Sequence, residues 1–302
     1  MKQHIRSYVA FTLTAATTLF LAGCGTVSDT VYLNDLSISG PIAQPAVHLT
    51  DTPTAGELHF SPKVSVNPRK SIDTRINGNM YSDEYTTTTG NNFHWALPTA
   101  QFGADCDYML SNRVALSFGI NYAGTANTDL IGGYAGLGLP FSGETISGRF
   151  EVGMQLQPTV YDAYSVVVRE ETPAYSDQTT KGILGYFHDR NKSSPWNMYT
   201  TLTINSHGGK TVDLFCSLSL SRQTLTDFQP SNEESESSMG SYHYTDARAE
   251  QIATVIAVTP GLVFSVGPTT KLLVGTRVFF LANVGNAAPV LAAPMIQFDM
   301  EL

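Results

Sequence analysis

The stretch Ala104–Gly124, "ADCDYMLSNRVALSFGINYAG", decides how the rest of the chain is read. Its first half puts Ala104, Cys106, Tyr108 and Leu110 in one row. Its second half puts Val114, Leu116, Phe118, Ile120 and Tyr122 in another, and Ser111-Asn112 separates the two. Alternation with a period of two is the strand signal. Ser and Asn are turn formers because their side chains bond to nearby backbone. The stretch is therefore a hairpin with one apolar face. The opposite face holds Gly103, Asp105 and Asp107 in the first strand, and Ala115, Ser117, Gly119 and Asn121 in the second. The fold depends on what the apolar face meets, a buried core or lipid.

The same alternation recurs outward from this hairpin. It is present in "GELHFSPKVSV", "ISGRFEVGMQLQ", "WNMYTTLTIN", "TVDLFCSLSLS", "KLLVGTRVFFLA" and the terminal "MIQFDMEL". "TDLIGGYAGLGLPF" is a glycine-rich version, and "QIATVIAVTPGLVFSV" is apolar on both faces. About ten strands result, with no amphipathic helix. Short turns at 111–112, 142–145, 207–210 and 267–270 alternate with longer polar stretches at 67–92, 123–128, 171–194, 226–249 and 284–288. Tight turns at one end and long loops at the other are the layout of an outer-membrane barrel.

A soluble sandwich would bury the apolar faces and wet the polar ones. Three features favour lipid instead. Several strands reach ten residues, the length of a tilted membrane-spanning strand rather than the usual 5–6. The polar faces are rich in small residues and poor in Lys, as a narrow lumen requires. Trp95, Tyr122, Tyr164, Trp196 and Tyr199 fall near strand ends, where an interfacial girdle would lie. Charged residues are only 14% of the chain, against about 25% in ordinary soluble domains. The expected fold is all-β: an antiparallel, up-and-down transmembrane β-barrel of about ten strands over residues 56–302. The terminal "IQFDMEL" resembles the C-terminal signal of outer-membrane barrels, although Leu302 stands where that signal usually ends in Phe.

The amino terminus carries a second message. Lys2 and Arg6 precede an uncharged apolar run that stops at Cys24, the pattern of a secretory signal. The run is shorter than the ~20 residues of a spanning helix. Leu21-Ala22-Gly23-Cys24 resembles the lipobox of bacterial lipoproteins. The resemblance implies removal of residues 1–23, diacylglycerol on the Cys24 thiol and acylation of the new amino terminus. Gly25 follows where an Asp would favour retention in the inner membrane, so the resemblance implies the outer membrane. Residues 24–55, rich in Thr, Ser and Pro, read as a lipidated tether with a short strand around 31–39. With an even strand count, both ends of the barrel and the lipid are expected on the periplasmic side.

Cleavage would lower the basic residues from 17 to 15 against 26 acidic ones, giving a net charge near −11. That disfavours nucleic acid, whose phosphates attract cations. The expected partners are outer-membrane lipid and either an extracellular ligand or a small solute. No cofactor motif is present: the sequence lacks HExxH, GxSxG, a P-loop and CxxC.

The candidate site is a lumen charge network of Asp105, Asp107, Arg149, Glu151, Asp213, Arg277 and Asp299. A charge facing a narrow interior needs a partner. Asp105-Cys106-Asp107 is not read as a metal site, because on a strand the two Asp side chains face away from Cys106. Gly136 and Gly138 are read as close packing, not as a nucleotide fingerprint. His188-Asp189-Arg190 invites comparison with barrel-embedded hydrolases, but no Ser stands out as a nucleophile for that base. The acidic stretch 226–250 lacks the ligand order of a calcium loop. Cys106 and Cys216 fall on the second and seventh barrel strands. A ten-stranded barrel holds them on opposite sides, beyond the ~7 Å that a disulfide spans, whereas a sandwich core permits pairing. The expected role is a non-enzymatic envelope protein that binds through its loops or passes a small solute. A soluble β-sandwich binding module and a barrel-embedded hydrolase are the alternatives.

Overall fold

The computed structural model describes residues 26–42, 46–68, 71–75, 92–125, 128–173, 177–206, 212–228, 249–282 and 290–302. Cys24 and most of the acidic stretch 226–250 lie outside them. Within them run fifteen strands: β1 (Thr26–Ser39), β2 (Leu58–Val66), β3 (Ser71–Arg75), β4 (Asn92–Ala96), β5 (Ala100–Ser111), β6 (Val114–Thr125), β7 (Thr128–Ser142), β8 (Ile146–Leu156), β9 (Thr159–Thr172), β10 (Thr180–Ser193), β11 (Trp196–Ser206), β12 (Val212–Phe228), β13 (Ala249–Ser265), β14 (Thr270–Ala282) and β15 (Val290–Glu301).

Ten of these close on themselves in the order β2-β5-β6-β7-β8-β11-β12-β13-β14-β15, every neighbouring pair antiparallel. These are the ten segments whose alternation the sequence displays. The closed barrel removes the soluble sandwich. The apolar rows point outward: Phe102, Phe118, Ile120, Leu139, Met198 and Leu218 are all exposed, Ile120 by 64%. The polar rows point inward, where Asp105, Arg149 and Glu151 are buried to 2% exposure or less. A soluble protein has the reverse arrangement. Solvated by acyl chains, an outward face of this composition carries no penalty, so the barrel is built to span a membrane. Cys106 on β5 and Cys216 on β12 are unpaired and on opposite sides of the ring.

The seam where the first and last barrel strands meet is interrupted, as is the β13–β14 ladder at Thr259-Pro260. β15 and β2 are registered at Met295↔Ser65, Ile296↔Val64, Gln297↔Lys63, Met300↔Phe60 and Glu301↔His59. The gap falls at Ser61-Pro62, and proline has no N–H to give to the ladder.

The remaining strands form a second sheet in the order β10-β9-β1-β4-β3. Here the structure corrects the sequence reading. Residues 26–39 are not a tether but a central strand, antiparallel to β9 from Thr26↔Thr172 to Ser39↔Val160 and parallel to β4. The stretches 67–92 and 171–194, read as polar loops, contribute β3 and β10 to it. β9 and β10 leave the barrel where Leu156 of β8 pairs with Trp196 of β11, so this sheet stands at the long-loop end. Its inner residues Leu36, Ile38, Ile72, Trp95 and Tyr161 form one cluster with Leu225, Val255, Phe279, Leu281 and Leu291 of the barrel wall. That contact explains why β13 is apolar on both faces: outward it meets lipid, inward it meets the sheet. Trp95 donates Nε1–H to the Gly40 carbonyl at 2.9 Å, fixing the sheet to the segment that leaves it.

The aromatic girdle is also corrected. Tyr122 and Trp196 face outward, but Trp95 is in the sheet core, Tyr164 lies on β9, and Tyr199 points into the lumen with 1% exposure.

Candidate functional site: a lumen filled by the chain itself

After Ser39 the chain enters the barrel. Gln223 of β12 donates to the Pro41 carbonyl at 2.9 Å, and Ile42 is buried in the cluster at the mouth. Residues 46–50 are all buried. Gln297 of β15 donates to the Val47 carbonyl at 2.7 Å, and the Thr50 N–H reaches Asn205 Oδ1 of β11 at 3.4 Å. Ser147 of β8 also donates to the Thr50 carbonyl. At the short-turn end Asp51 meets Lys271, and the Ala55 N–H donates to Asn112 Oδ1 at 2.9 Å. Gly56, at φ 95°, then turns the chain into β2; only glycine adopts that conformation without strain. The ten steps from Pro41 to Asp51 reach at most roughly 33 Å at strand rise, about the ~30 Å of a hydrocarbon core. This strap crosses the barrel from the loop end to the turn end.

The strap is itself patterned with a period of two, and the lumen wall matches it. Val47 and Leu49 pack with Phe215, Val263, Leu273 and Met295 from β12–β15. On the other side Ala46 clusters with Tyr134 and Tyr199, and His48 Nε2 lies 3.4 Å from the Tyr134 hydroxyl and 3.9 Å from Glu151 Oε2.

That second wall carries the charge network. Arg149 Nη1 lies 2.6 Å from Asp107 Oδ2, and its Nη2 lies 2.8 Å from Glu151 Oε2. Tyr199 and Ser117 donate to Glu151 Oε1 at 2.6 and 2.9 Å. Lys63 Nζ sits 3.0 Å from Asp105 Oδ2, and Tyr134 donates to Asp105 Oδ1 at 2.6 Å. With Arg277, two buried cations and the part-buried Lys63 balance Asp105, Asp107 and Glu151. Burying charges is tolerable only when they are paired and hydrogen-bonded in this way.

Of the expected network residues, Asp105, Asp107, Arg149 and Glu151 converge. Arg277 is buried on β14, donating Nε–H to Thr259 at 3.2 Å. Asp299 stands apart with His59 Nδ1 at 3.1 Å and Ser61 at 3.2 Å. Asp213 is half-buried at the turn end of β12. His48, Lys63, Tyr134 and Tyr199 complete the site. Strand parity marks both tyrosines in the sequence: Tyr134 falls in the row of Gly136 and Gly138, and Tyr199 in the row of Thr201 and Thr203.

The long side chains lie flat along the wall, over glycines. A Cβ on Gly138 would fall 2.0 Å from Arg149 Nε; one on Gly136 would fall 2.4 Å from the Tyr199 hydroxyl; one on Gly119 would fall 2.4 Å from the Tyr134 ring. Over Gly138 and Gly119 the cleared tracks let Arg149 and Tyr134 reach acceptors three and two strands away, while Gly136 makes room for the Tyr199 hydroxyl beside Glu151 on the neighbouring strand. The centre of the lumen stays free for the strap. Gly138→Val is expected to destabilise the barrel by about 1–3 kcal/mol, the cost of overpacking. The measurement is the urea midpoint of the detergent-refolded protein.

The cavity beside Lys63, Gln101, Asn121 and Arg277 holds about 10 Å³, room for about one water. His188 contacts Asp162 and stacks on the Tyr164 ring at 4.3 Å. Among the described residues no serine hydroxyl is bonded to it.

No family model matches the chain, and neither does any curated relative. The fold is similar to an outer-membrane channel from Pseudomonas putida, at 9% identity and a TM-score of 0.40, covering 86% of this chain and 100% of that one. It is also similar to the translocator domain of the autotransporter NalP from Neisseria meningitidis, at 9% identity and a TM-score of 0.36, covering 82% and 90%. The outer-membrane channel DcaP of Acinetobacter baumannii aligns at 6% identity and a TM-score of 0.20, covering 82% and 96%.

Proposed function

We propose that the chain is a lipid-anchored outer-membrane barrel of the bacterial envelope, acylated at Cys24. It is non-enzymatic and works through its loop-end sheet and loops, binding a ligand outside the cell or serving a structural role. The observation that carries this reading is the strap: residues 46–50 are buried inside the lumen and hydrogen-bonded to its wall. The lipobox carries the anchor, and the outward apolar face accounts for the membrane.

The wild-type protein, refolded in detergent and added to planar bilayers, is expected to give no discrete conductance steps. Its band is expected to shift on boiling in SDS, as a folded barrel does. Steady stepwise conductance of the wild type would replace the binding reading with solute passage. Incorporation of labelled palmitate, lost in Cys24→Ala, tests the anchor separately.

A further inference from the structure

The strap fixes more than closure of the lumen. β2 begins at the turn end, where the Gly56 N–H donates to the Met109 carbonyl at 2.8 Å. The chain reaches that point from the loop end, since Pro41 is held by Gln223 and Ser39 is paired with Val160 beside the barrel rim. Upstream, β1 runs away from the rim along β9, reaching Thr26 opposite Thr172. The thirteen steps from Ser39 to Thr26 extend roughly 43 Å at strand rise. Short turns are the periplasmic side of such barrels and long connections the outer side.

We propose that the barrel holds its own amino terminus outside the cell, so that residue 24 lies on the outer side of the outer membrane, opposite to the periplasmic leaflet that strand parity alone suggests. The lipid consequence rests on the acylation reading; the topology does not. An acyl group two residues before Thr26 is displayed at the distal end of β1, away from the rim, facing an apposed lipid surface. The loop-end sheet is then a surface-displayed body carrying a lipid, and the barrel is its mount.

The test uses the full-length protein in its native membrane, with Cys106→Ala and Cys216→Ala as background. Val27→Cys reports the distal end of β1, where Val27 is 54% exposed. Glu144→Cys reports the exposed β7–β8 turn. A membrane-impermeant maleimide is applied to intact cells and to cells with a permeabilised outer membrane, with the boiling shift confirming folding in each variant. The expected result is labelling of Val27→Cys in intact cells and of Glu144→Cys only after permeabilisation. Labelling of Val27→Cys only after permeabilisation overturns the proposal, as does equal labelling of Glu144→Cys in intact cells. If the background protein itself is labelled in intact cells, Cys24 carries a free thiol. That removes acylation while still placing residue 24 outside.

Discussion

Arg149→Met is expected to cost about 3–5 kcal/mol, the range for leaving a buried charge without its partner. Arg149 is 1% exposed and is the cation between Asp107 and Glu151. Methionine nearly preserves its volume over Gly138 but leaves two carboxylates facing each other across an apolar side chain. The measurement is the urea midpoint of the refolded protein, together with the temperature at which the SDS-resistant band converts to the unfolded one. The same reasoning predicts a rescue. Arg149→Met combined with Asp107→Asn and Glu151→Gln removes the charges together and should recover most of the loss, because neutral replacement of a buried ion network is often tolerated. Full loss in the triple variant would show that Arg149 acts through packing along the wall and not through its charge. Residues in one network couple, so the single effects are not expected to add.

Val47→Asp combined with Leu49→Asp is expected to unseat the strap. Both side chains press into a wall of Phe215, Val263, Leu273 and Met295, none of which can pair with a carboxylate. Loss of Leu49 packing alone, as in Leu49→Ala, costs ~2–5 kcal/mol by the usual core values. Unpaired carboxylates at both positions cost more. The strand ladders of the barrel do not pass through the strap, so the sheet is expected to stay closed and to keep its boiling shift. The readout is conductance in planar bilayers: discrete steps in the double variant and none in wild type. A silent double variant with an intact boiling shift would mean that the polar half of the strap, around His48 and Thr50, is enough to keep the lumen shut.

The barrel was legible because its physics is local. One residue in two faces lipid, and every strand from β5 to β8 shows it directly, as do the short turns at 111–112 and 142–145; the stretch 123–128, read as a longer loop, is instead mostly strand, with β6 reaching Thr125 and β7 starting at Thr128. The network was legible in part for the same reason, since parity places Asp105, Asp107, Arg149 and Glu151 inward without reference to any partner. The strap was not. "AVHLT" at 46–50 is too short for its alternation to stand out, and it lies between prolines in a stretch that composition assigns to a linker. Its burial depends on Gln297, 250 residues away, and Asn205, 155 residues away. β1 is similar: its partner β9 follows about 130 residues later, and only the completed barrel brings the two together. Tyr199 shows the cost of reading position before parity. Nearness to a strand end suggests a membrane interface, while its row shows that it faces inward.

The interrupted β2–β15 seam has a consequence for how the molecule is made. A chain that runs through its own closed ring cannot be inserted afterwards without pulling its end through a space one strand wide. The ring must therefore close around the strap, and the seam at Pro62 is where closure comes last, since β15 follows every other strand of the ring in chain order. Assembly has an order: residues 46–55 are in place first, and β15 then zips onto β2. A rapidly folding domain fused ahead of residue 26 would arrive as a knot too wide for the half-built ring, and the fusion should stall with its seam open.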